Sequence, residues 1–235
     1  MKRFGFLIPA VMAAALHGCM ADAEPNTLTG KEQRDGWELL FDGQSLNKWK
    51  TFNGGSVTGW KIIDGTVHNS GDDTNYGGDI ITIEEYTDFE LYLEWKIMPQ
   101  SQSGIFFHVQ EGIVNAIYES GPKYQLTDDR GWVQELKEVQ HAGAAWELYA
   151  PDNVKLVSDG EWNKTRLIVK GSNVEHWLNG TKVLEYELWS DDWHEHVKNS
   201  KWRHMPHYGS AKKGHIGLQD HGGLTMFRNI KIRRL

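Results

Sequence analysis

The sequence predicts an all-β protein, built as a two-sheet antiparallel β-sandwich of the jelly-roll type with one or two short helices. Apolar and polar residues alternate with a period of two in about a dozen short segments, as expected of strands that bury one face. The 25 glycines suit the many tight turns that such a chain needs. A chain of roughly 200 residues is long enough for one such domain to bury a substantial core.

The clearest strand is predicted at 89–97, where every odd-numbered residue is apolar and the even-numbered residues are mostly charged. The pair Asn179-Gly180 tolerates the positive φ angles of a type I′ turn, so it predicts a hairpin. Ser190 is a candidate N-cap, and the two aspartates after it favour a short helix. Weaker alternation predicts the other strands at 37–41, 59–63, 79–83, 104–109, 123–126, 144–149, 165–170, 215–219 and 227–232.

The N-terminus predicts export. Lys2 and Arg3 precede an apolar stretch at 4–16, which has the length of a signal-peptide core and is too short to span a bilayer. Cys19 follows a small residue at the position where a lipoprotein is cut and its thiol acquires a lipid. An ordinary secretory signal with an incidental cysteine is the alternative interpretation.

This interpretation divides the chain into three parts. We expect a lipoprotein signal peptide at 1–18, a flexible lipid-anchored tether at 19–34 and a single catalytic or sugar-binding domain at 35–235. The expected location is the bacterial periplasm or the outer-membrane surface, with membrane contact only through the lipid anchor.

Composition excludes several classes of function. Cys19 is the only cysteine, so a folded domain that follows it has no disulfide, no cysteine nucleophile and no zinc ribbon. The formal net charge of −7 opposes binding to nucleic acid, because that binding depends on neutralising phosphates. Eleven tryptophans are many for this length, and they suit either a core or a stacking surface for sugar rings.

Seven motifs, spread in order over residues 35 to 235, resemble the 3-keto-disaccharide hydrolase domain family. They are GWELLFDG (36–43), SGIFF (103–107), ESGPKYQ (119–125), GEWN (160–163), VEHWLNG (174–180), GHIGLQDHG (214–222) and FRNIKI (227–232). The first and last of these motifs are expected to pair the two ends of the chain. Many relatives carry glutamate after the Gly-Pro pair, where this chain has Lys123.

The resemblance implies a concanavalin A-like fold whose concave sheet holds a saccharide. It implies as substrate a glucoside or disaccharide that a partner 3-dehydrogenase has oxidised to a ketone at C3. Cleavage would be net hydrolysis, or elimination followed by hydration.

The residues suit such a substrate better than an ordinary glycoside. A conventional glycosidase needs two carboxylates that flank the scissile bond. The adjacent pairs Glu84-Glu85 and Asp128-Asp129 instead place their side chains on opposite faces of a strand. A C3 ketone acidifies the C2 hydrogen, so one base, one acid and a positive group or metal beside the enolate oxygen suffice.

Strand parity gives the first candidates. If Phe107 and Val109 face the core, then His108 faces the groove on the same sheet. By the same reasoning Lys123 and Gln125 face the groove from one strand and Gln219 from another, with His221 at the strand end. The small residue at 217 is expected to leave room for a sugar ring.

Roles follow from chemistry. Glu119 or His141 is the expected base and His108 or His221 the acid, while Lys123 stabilises the enolate. Trp146 is expected to stack on the sugar. Gln125, Asp128 and Gln219 are candidates to bind hydroxyls or a divalent metal ion, and no other cofactor is implied.

Three classes of function remain open from the sequence. The first is an enzyme that cleaves 3-keto glycosides, and the second is a non-catalytic carbohydrate-binding lipoprotein that uses the same groove. A structural or adhesive surface module is the third.

Overall fold

A computed structural model describes residues 24–54, 57–69, 77–157 and 160–235. The predicted signal peptide and Cys19 lie outside these residues. The helices are α1 (Gly30–Arg34) and α2 (Asp191–Asn199). The strands are β1 (Trp37–Leu39), β2 (Trp49–Thr51), β3 (Lys61–Ile63), β4 (Thr66–His68), β5 (Ile80–Tyr86), β6 (Phe89–Ile97), β7 (Gln102–Val109), β8 (Lys123–Thr127), β9 (Asn163–Lys170), β10 (Asn173–Leu178), β11 (Thr181–Glu187), β12 (Gly214–Leu218) and β13 (Thr225–Arg234).

The strands form two antiparallel sheets, which confirms the predicted β-sandwich. The larger sheet has eight strands in the order β11-β10-β9-β6-β13-β4-β3, with β1 also paired to β13. The smaller sheet has five strands in the order β2-β5-β12-β7-β8. Short 3₁₀ turns at Ile117–Glu119, Glu138–Gln140 and Lys201–His204 lie between the strands.

The core lies between the two sheets and follows the predicted alternation. Phe89, Leu91, Leu93 and Trp95 of β6 are fully buried there. The indole nitrogen of Trp95 donates to Thr165 Oγ1 at 2.9 Å, so its one polar atom is satisfied. Burial of each large apolar side chain contributes about 1.5–3 kcal/mol to folding.

Two local predictions are confirmed. Asn179 and Gly180 have φ angles of 49° and 82° in the turn between β10 and β11, as a type I′ turn requires. The chain ends pair as expected, with Trp37 opposite Arg233 in an antiparallel ladder.

Two segments differ in structure from what the sequence predicts. Residues 144–149 do not form a strand, because the chain turns back at Ala145, which makes only isolated bridges to Tyr124 and Tyr149. The later part of the predicted tether is not free: Asn26 bonds to Asn229 and to the carbonyl of Gly65, and α1 follows it.

Helix α2 begins at the predicted cap, since Ser190 Oγ accepts from the Trp193 amide at 3.1 Å. A stack of aromatic rings then joins the helix to Tyr186 of β11, a strand of the larger sheet. Consecutive centroids lie 4.6 to 6.0 Å apart, with interplanar angles from 4° to 17°. The stack consists, in order, of Trp202, Tyr208, Trp193, Tyr186 and Tyr149.

Among the described residues, no helix is both long and apolar enough to cross a membrane. The described part of the chain therefore contains no helical membrane span of its own.

Candidate active site

The outer face of the five-stranded sheet is the part of the fold where buried polar groups collect. Strand parity separates the faces of this sheet, because Ile80 and Leu126 point into the sandwich core. Ile81 and Phe106 point to the other side, where they pack with Ile117 in a small second cluster. Polar side chains of β5, β7, β8 and the end of β12 share that outer side.

Lys123 lies at the centre of this outer face. Its side chain crosses the backbone of Gly104 on the neighbouring strand, where any Cβ would come within 2.0 Å of the lysine Cε. The residue is 1% exposed, and its Nζ makes no hydrogen bond. The Nζ lies 4.4 Å from the ring centroid of Trp146 and 5.8 Å from that of Phe106.

Two glutamines flank the same glycine. Gln125 is paired with Gly104 across β7 and β8, and the amide of Gln219 donates to the Gly104 carbonyl at 3.0 Å from the other side. The side-chain Oε1 atoms of both glutamines are buried without a hydrogen-bond partner. A buried acceptor left unpaired costs about 1–3 kcal/mol, so both amide oxygens are suited to accept a hydrogen bond from a polar group at this face.

Asp79 is the fourth polar residue near Lys123, and it was not among the site residues predicted from the sequence. It precedes Ile80 in β5, so its side chain shares the outer face with Ile81. Its Oδ1 accepts from the Asp220 amide at 2.9 Å, and its charge interacts with that of Lys123. We call Asp79, Lys123, Gln125 and Gln219 the Lys123 cluster.

Burial moves the two ionisable groups of the cluster toward neutrality. Loss of hydration lowers the pKa of Lys123 to about 7, although the Asp79 carboxylate opposes the shift. Loss of hydration likewise raises the pKa of Asp79 to about 6, although the Asp220 amide and Lys123 oppose it. An amine and a carboxyl that both titrate near neutral pH are suited to proton transfer.

Aromatic and basic side chains wall the cluster on one side. The backbone amide of Trp146 donates to the Lys123 carbonyl, which fixes its ring beside the lysine. The ring meets Trp202 edge to face at 5.7 Å, and the Nζ of Lys201 lies 3.3 Å from its centroid. The Trp146 ring, which the sequence predicts to stack on a sugar, faces the amines of Lys123 and Lys201 in the structure.

The orientation predicted for His108 is wrong. His108 has a φ of 51°, and the pairing of β7 with β12 shifts register beside it. Because this bulge inverts the alternation, Val109 joins the outer-face cluster and His108 turns inward. Its ring packs on Phe89 and Phe107, and its Nε2 lies 2.8 Å from the Thr87 carbonyl. Burial lowers its pKa, so it serves the packing as a neutral ring.

The space predicted above residue 217 is also occupied. A Cβ on Gly217 would lie 2.3 Å from Cδ1 of Ile117. The small residue therefore accommodates the 3₁₀ turn at Ile117–Glu119, just as Gly104 accommodates the side chain of Lys123.

His141 is bound to a different carboxylate, near the end of β8. Its Nδ1 lies 3.3 Å from Asp129 Oδ2, and the Ala142 amide donates to the same carboxylate at 2.9 Å. Asp128 uses both oxygens on backbone amides of Gln100 and Gly131, so it holds a turn. No contact joins either group to Lys123 in the described structure.

Glu119 lies in the 3₁₀ turn that packs over Gly217 of β12, and His221 follows the same strand. Glu119 ends the 3₁₀ turn and accepts from the Asn115 amide at 3.3 Å. His221 is exposed in the turn after β12. The described residues contain no group of three or more histidine, cysteine, aspartate or glutamate side chains arranged to hold a metal ion.

Replacing Gly104 by alanine tests whether the position of the Lys123 side chain matters for turnover. The new Cβ would force the Lys123 side chain aside, because three of its carbons lie within 2.8 Å. We expect turnover of a 3-keto glucoside to fall about 10²-fold, the usual cost of a displaced catalytic group, while circular dichroism stays unchanged. The control is Gly30→Ala in α1, where the nearest atom is 3.5 Å away. Full activity in Gly104→Ala would contradict the assignment.

The pKa of Lys123 predicts how stability depends on pH. The folded pKa of about 7 lies below the ordinary value of 10.5. Between these values the unfolded chain binds a proton that the folded chain does not, so the free energy of unfolding rises with pH.

We therefore expect the stability of the natural protein to increase relative to Lys123→Met as pH rises from 7 to 10. Asp79, with a pKa of about 6, is already ionised in this window, and Lys201 is common to both proteins. Urea denaturation at several pH values measures the difference. If the free energies of unfolding of the two proteins changed with pH in parallel, the Lys123 amine would be hydrated in the folded state.

Fold and site together define a β-sandwich protein with a buried lysine and a half-buried aspartate, coupled by charge, on one sheet face. A sequence model of the 3-keto-alpha-glucoside-1,2-lyase-like domain matches residues 36–233, and the chain belongs to this family. The family predicted from the seven motifs is thus confirmed, and with it the class of glycoside-cleaving enzymes.

Individual relatives agree with this membership. A 3-keto-disaccharide hydrolase of Bacteroides thetaiotaomicron is 31% identical over 91% of this chain and 83% of its own length. A crystal structure of a candidate glycosyl hydrolase from Parabacteroides distasonis is 37% identical, covers 90% of this chain and all of that one, and superposes with a TM-score of 0.85. A second structure from that organism is 28% identical over 85% of this chain and 99% of its own, with a TM-score of 0.67.

Proposed function

We propose that this enzyme cleaves the glycosidic bond of 3-keto glucosides or 3-keto disaccharides by removing the C2 proton. The observation that supports it is the Lys123 cluster, in which the charge of a half-buried carboxyl acts on a buried amine beside two buried amide oxygens. This set offers a base and an electrostatic partner for an enolate, as removal of the C2 proton requires.

The cluster suggests a role for each member. The C3 ketone oxygen accepts from protonated Lys123, and the Asp79 carboxylate takes the C2 proton, so the electrons of that C–H bond form an enolate. The enolate then expels the aglycone oxygen from C1, and that oxygen takes a proton, for which Lys201 is the candidate donor. The amide oxygens of Gln125 and Gln219 accept hydrogen bonds from sugar hydroxyls.

Direct release after this step gives an enone, and addition of water at C1 gives the hydrolysed sugar. The name of the Bacteroides thetaiotaomicron relative supports a disaccharide as substrate. Because the reaction starts from a ketone at C3, a 3-dehydrogenase must supply the substrate. We further propose that the protein acts after export, held to a membrane by lipid on Cys19.

The decisive experiment offers purified protein the 3-keto forms of trehalose and of methyl β-glucoside, with the unoxidised sugars as controls. We expect release of the aglycone only from the keto forms, with uptake of deuterium at C2 of remaining substrate in heavy water. Cleavage of the unoxidised sugars at an equal rate would contradict the ketone requirement. Tight binding without turnover would instead indicate a carbohydrate-binding protein.

A further inference from the structure

The Lys123 amine is held in a state that suits covalent chemistry better than a permanent positive charge. An ammonium group carries three N–H donors and is buried only when they are paired. Here Nζ makes no hydrogen bond, and the two nearby glutamine oxygens remain unpartnered rather than turning to it. The flanking aromatic rings of Trp146 and Phe106 supply an apolar environment.

We propose that Lys123 forms an imine with the C3 ketone of the substrate, so that it acts as a covalent catalyst. This proposal rests on the proposed function, because it requires a keto sugar. A lysine becomes a nucleophile when an apolar pocket or a neighbouring cation removes its charge. Both conditions are present, since Lys201 lies close enough for its charge to act on Lys123.

The steps balance without any further reagent. The neutral amine adds to C3, and Asp79 in its acid form protonates the departing oxygen, so one water leaves and an iminium remains. The resulting Asp79 carboxylate faces the iminium charge and then removes the C2 proton, which gives an enamine. The enamine expels the aglycone from C1, the aglycone takes a proton, and a conjugated iminium forms. Water adds at C3 and frees the lysine, replacing the water lost at the start.

The imine agrees with two features of the Lys123 cluster, its single weak base and its two glutamine oxygens. An iminium acidifies the neighbouring C–H more strongly than a ketone does, so a single weak base such as Asp79 suffices. The two unpartnered glutamine oxygens lie on either side of Gly104, where the sugar attached to Lys123 would present its hydroxyls.

Reductive trapping tests the proposal. The natural protein is incubated at pH 7.5 with methyl 3-keto-β-glucoside and sodium cyanoborohydride, digested, and analysed by mass spectrometry. We expect a reduced sugar adduct on Lys123, with inactivation that parallels its formation. The exposed lysines, such as Lys61 and Lys155, serve as internal controls in the same digest and are expected to stay unmodified.

Two variants sharpen the result. Lys123→Arg keeps a cation but cannot form an imine, so we expect it to lose turnover at least 10³-fold, as Lys123→Met does, with unchanged circular dichroism. Turnover within tenfold of the natural protein in Lys123→Arg would overturn the imine and favour a purely electrostatic lysine.

Trapping on the natural protein remains informative if either variant fails to fold. Turnover without an adduct on Lys123, or adducts spread equally over surface lysines, would overturn the imine and leave the proposed function standing. Absence of both turnover and adduct would overturn both proposals.

Discussion

Replacement of Asp79 by asparagine is expected to lower kcat/KM for a 3-keto glucoside by about 10²–10⁴-fold, the usual contribution of a general base. Asparagine keeps an oxygen that can accept from the Asp220 amide, so the bond that positions the residue survives. What is lost is the half-buried carboxyl whose pKa of about 6 suits proton transfer near neutral pH. We expect kcat/KM and the rate of deuterium exchange at C2 of the substrate to decrease by similar factors.

Three further variants make this result specific. Asp152→Asn removes an exposed carboxylate of the same kind and is expected to leave the rate unchanged. Glu119→Gln and His141→Ala remove the bases favoured by the sequence, which contact Asn115 and Asp129 and make no described contact with Lys123. A larger loss in either of these than in Asp79→Asn would transfer the role of base to that residue.

Replacement of Trp202 by alanine is expected to lower the free energy of unfolding by about 3–5 kcal/mol. Trp202 is 2% exposed and begins the aromatic stack at 4.6 Å from Tyr208. Its loss leaves a cavity beside Trp146, whose carbonyl also receives the Trp202 indole N–H at 3.4 Å. Chemical denaturation measures the effect, and activity should fall as well because the wall of the Lys123 cluster loosens.

Trp132→Ala is the matched control for the stack. Trp132 lies half-buried in the loop after β8, apart from the core, so its removal is expected to cost within about 0.5 kcal/mol. Trp202→Phe keeps a ring in the stack and is expected to retain most of the stability. Equal losses in Trp202→Ala and Trp132→Ala would show that the stack does not hold α2.

The sequence was informative wherever one face of a strand is buried. Alternation placed Lys123 and Gln125 correctly on the outer face, because β8 is regular from Lys123 to Thr127. It failed at His108, because a single residue of positive φ reverses the two faces and leaves no trace in the hydropathy pattern. The hydropathy pattern around a histidine between two apolar residues is therefore the same with or without a bulge.

Asp79 was missed for a different reason. It stands at the beginning of a strand, where an aspartate ordinarily ends a turn, and only the sheet order shows that β5 lies in the same sheet as β7 and β8. Pairings between distant strands are not encoded in local alternation. The prediction of a strand at 144–149 failed for a similar reason. Trp146 packs against Trp202 beside the Lys123 cluster, and its segment makes only isolated bridges.

If the protein is held to a membrane as proposed, the attachment of Asn26 to Asn229 would limit the distance between the enzyme and that membrane. With lipid on Cys19, as proposed, six residues separate the anchor from the first fixed point of the body. A fully extended segment of this length spans roughly 20 Å. The enzyme would then stay within a thin layer above the lipid headgroups. It would act on sugars that enter this layer and not on sugars in bulk solution.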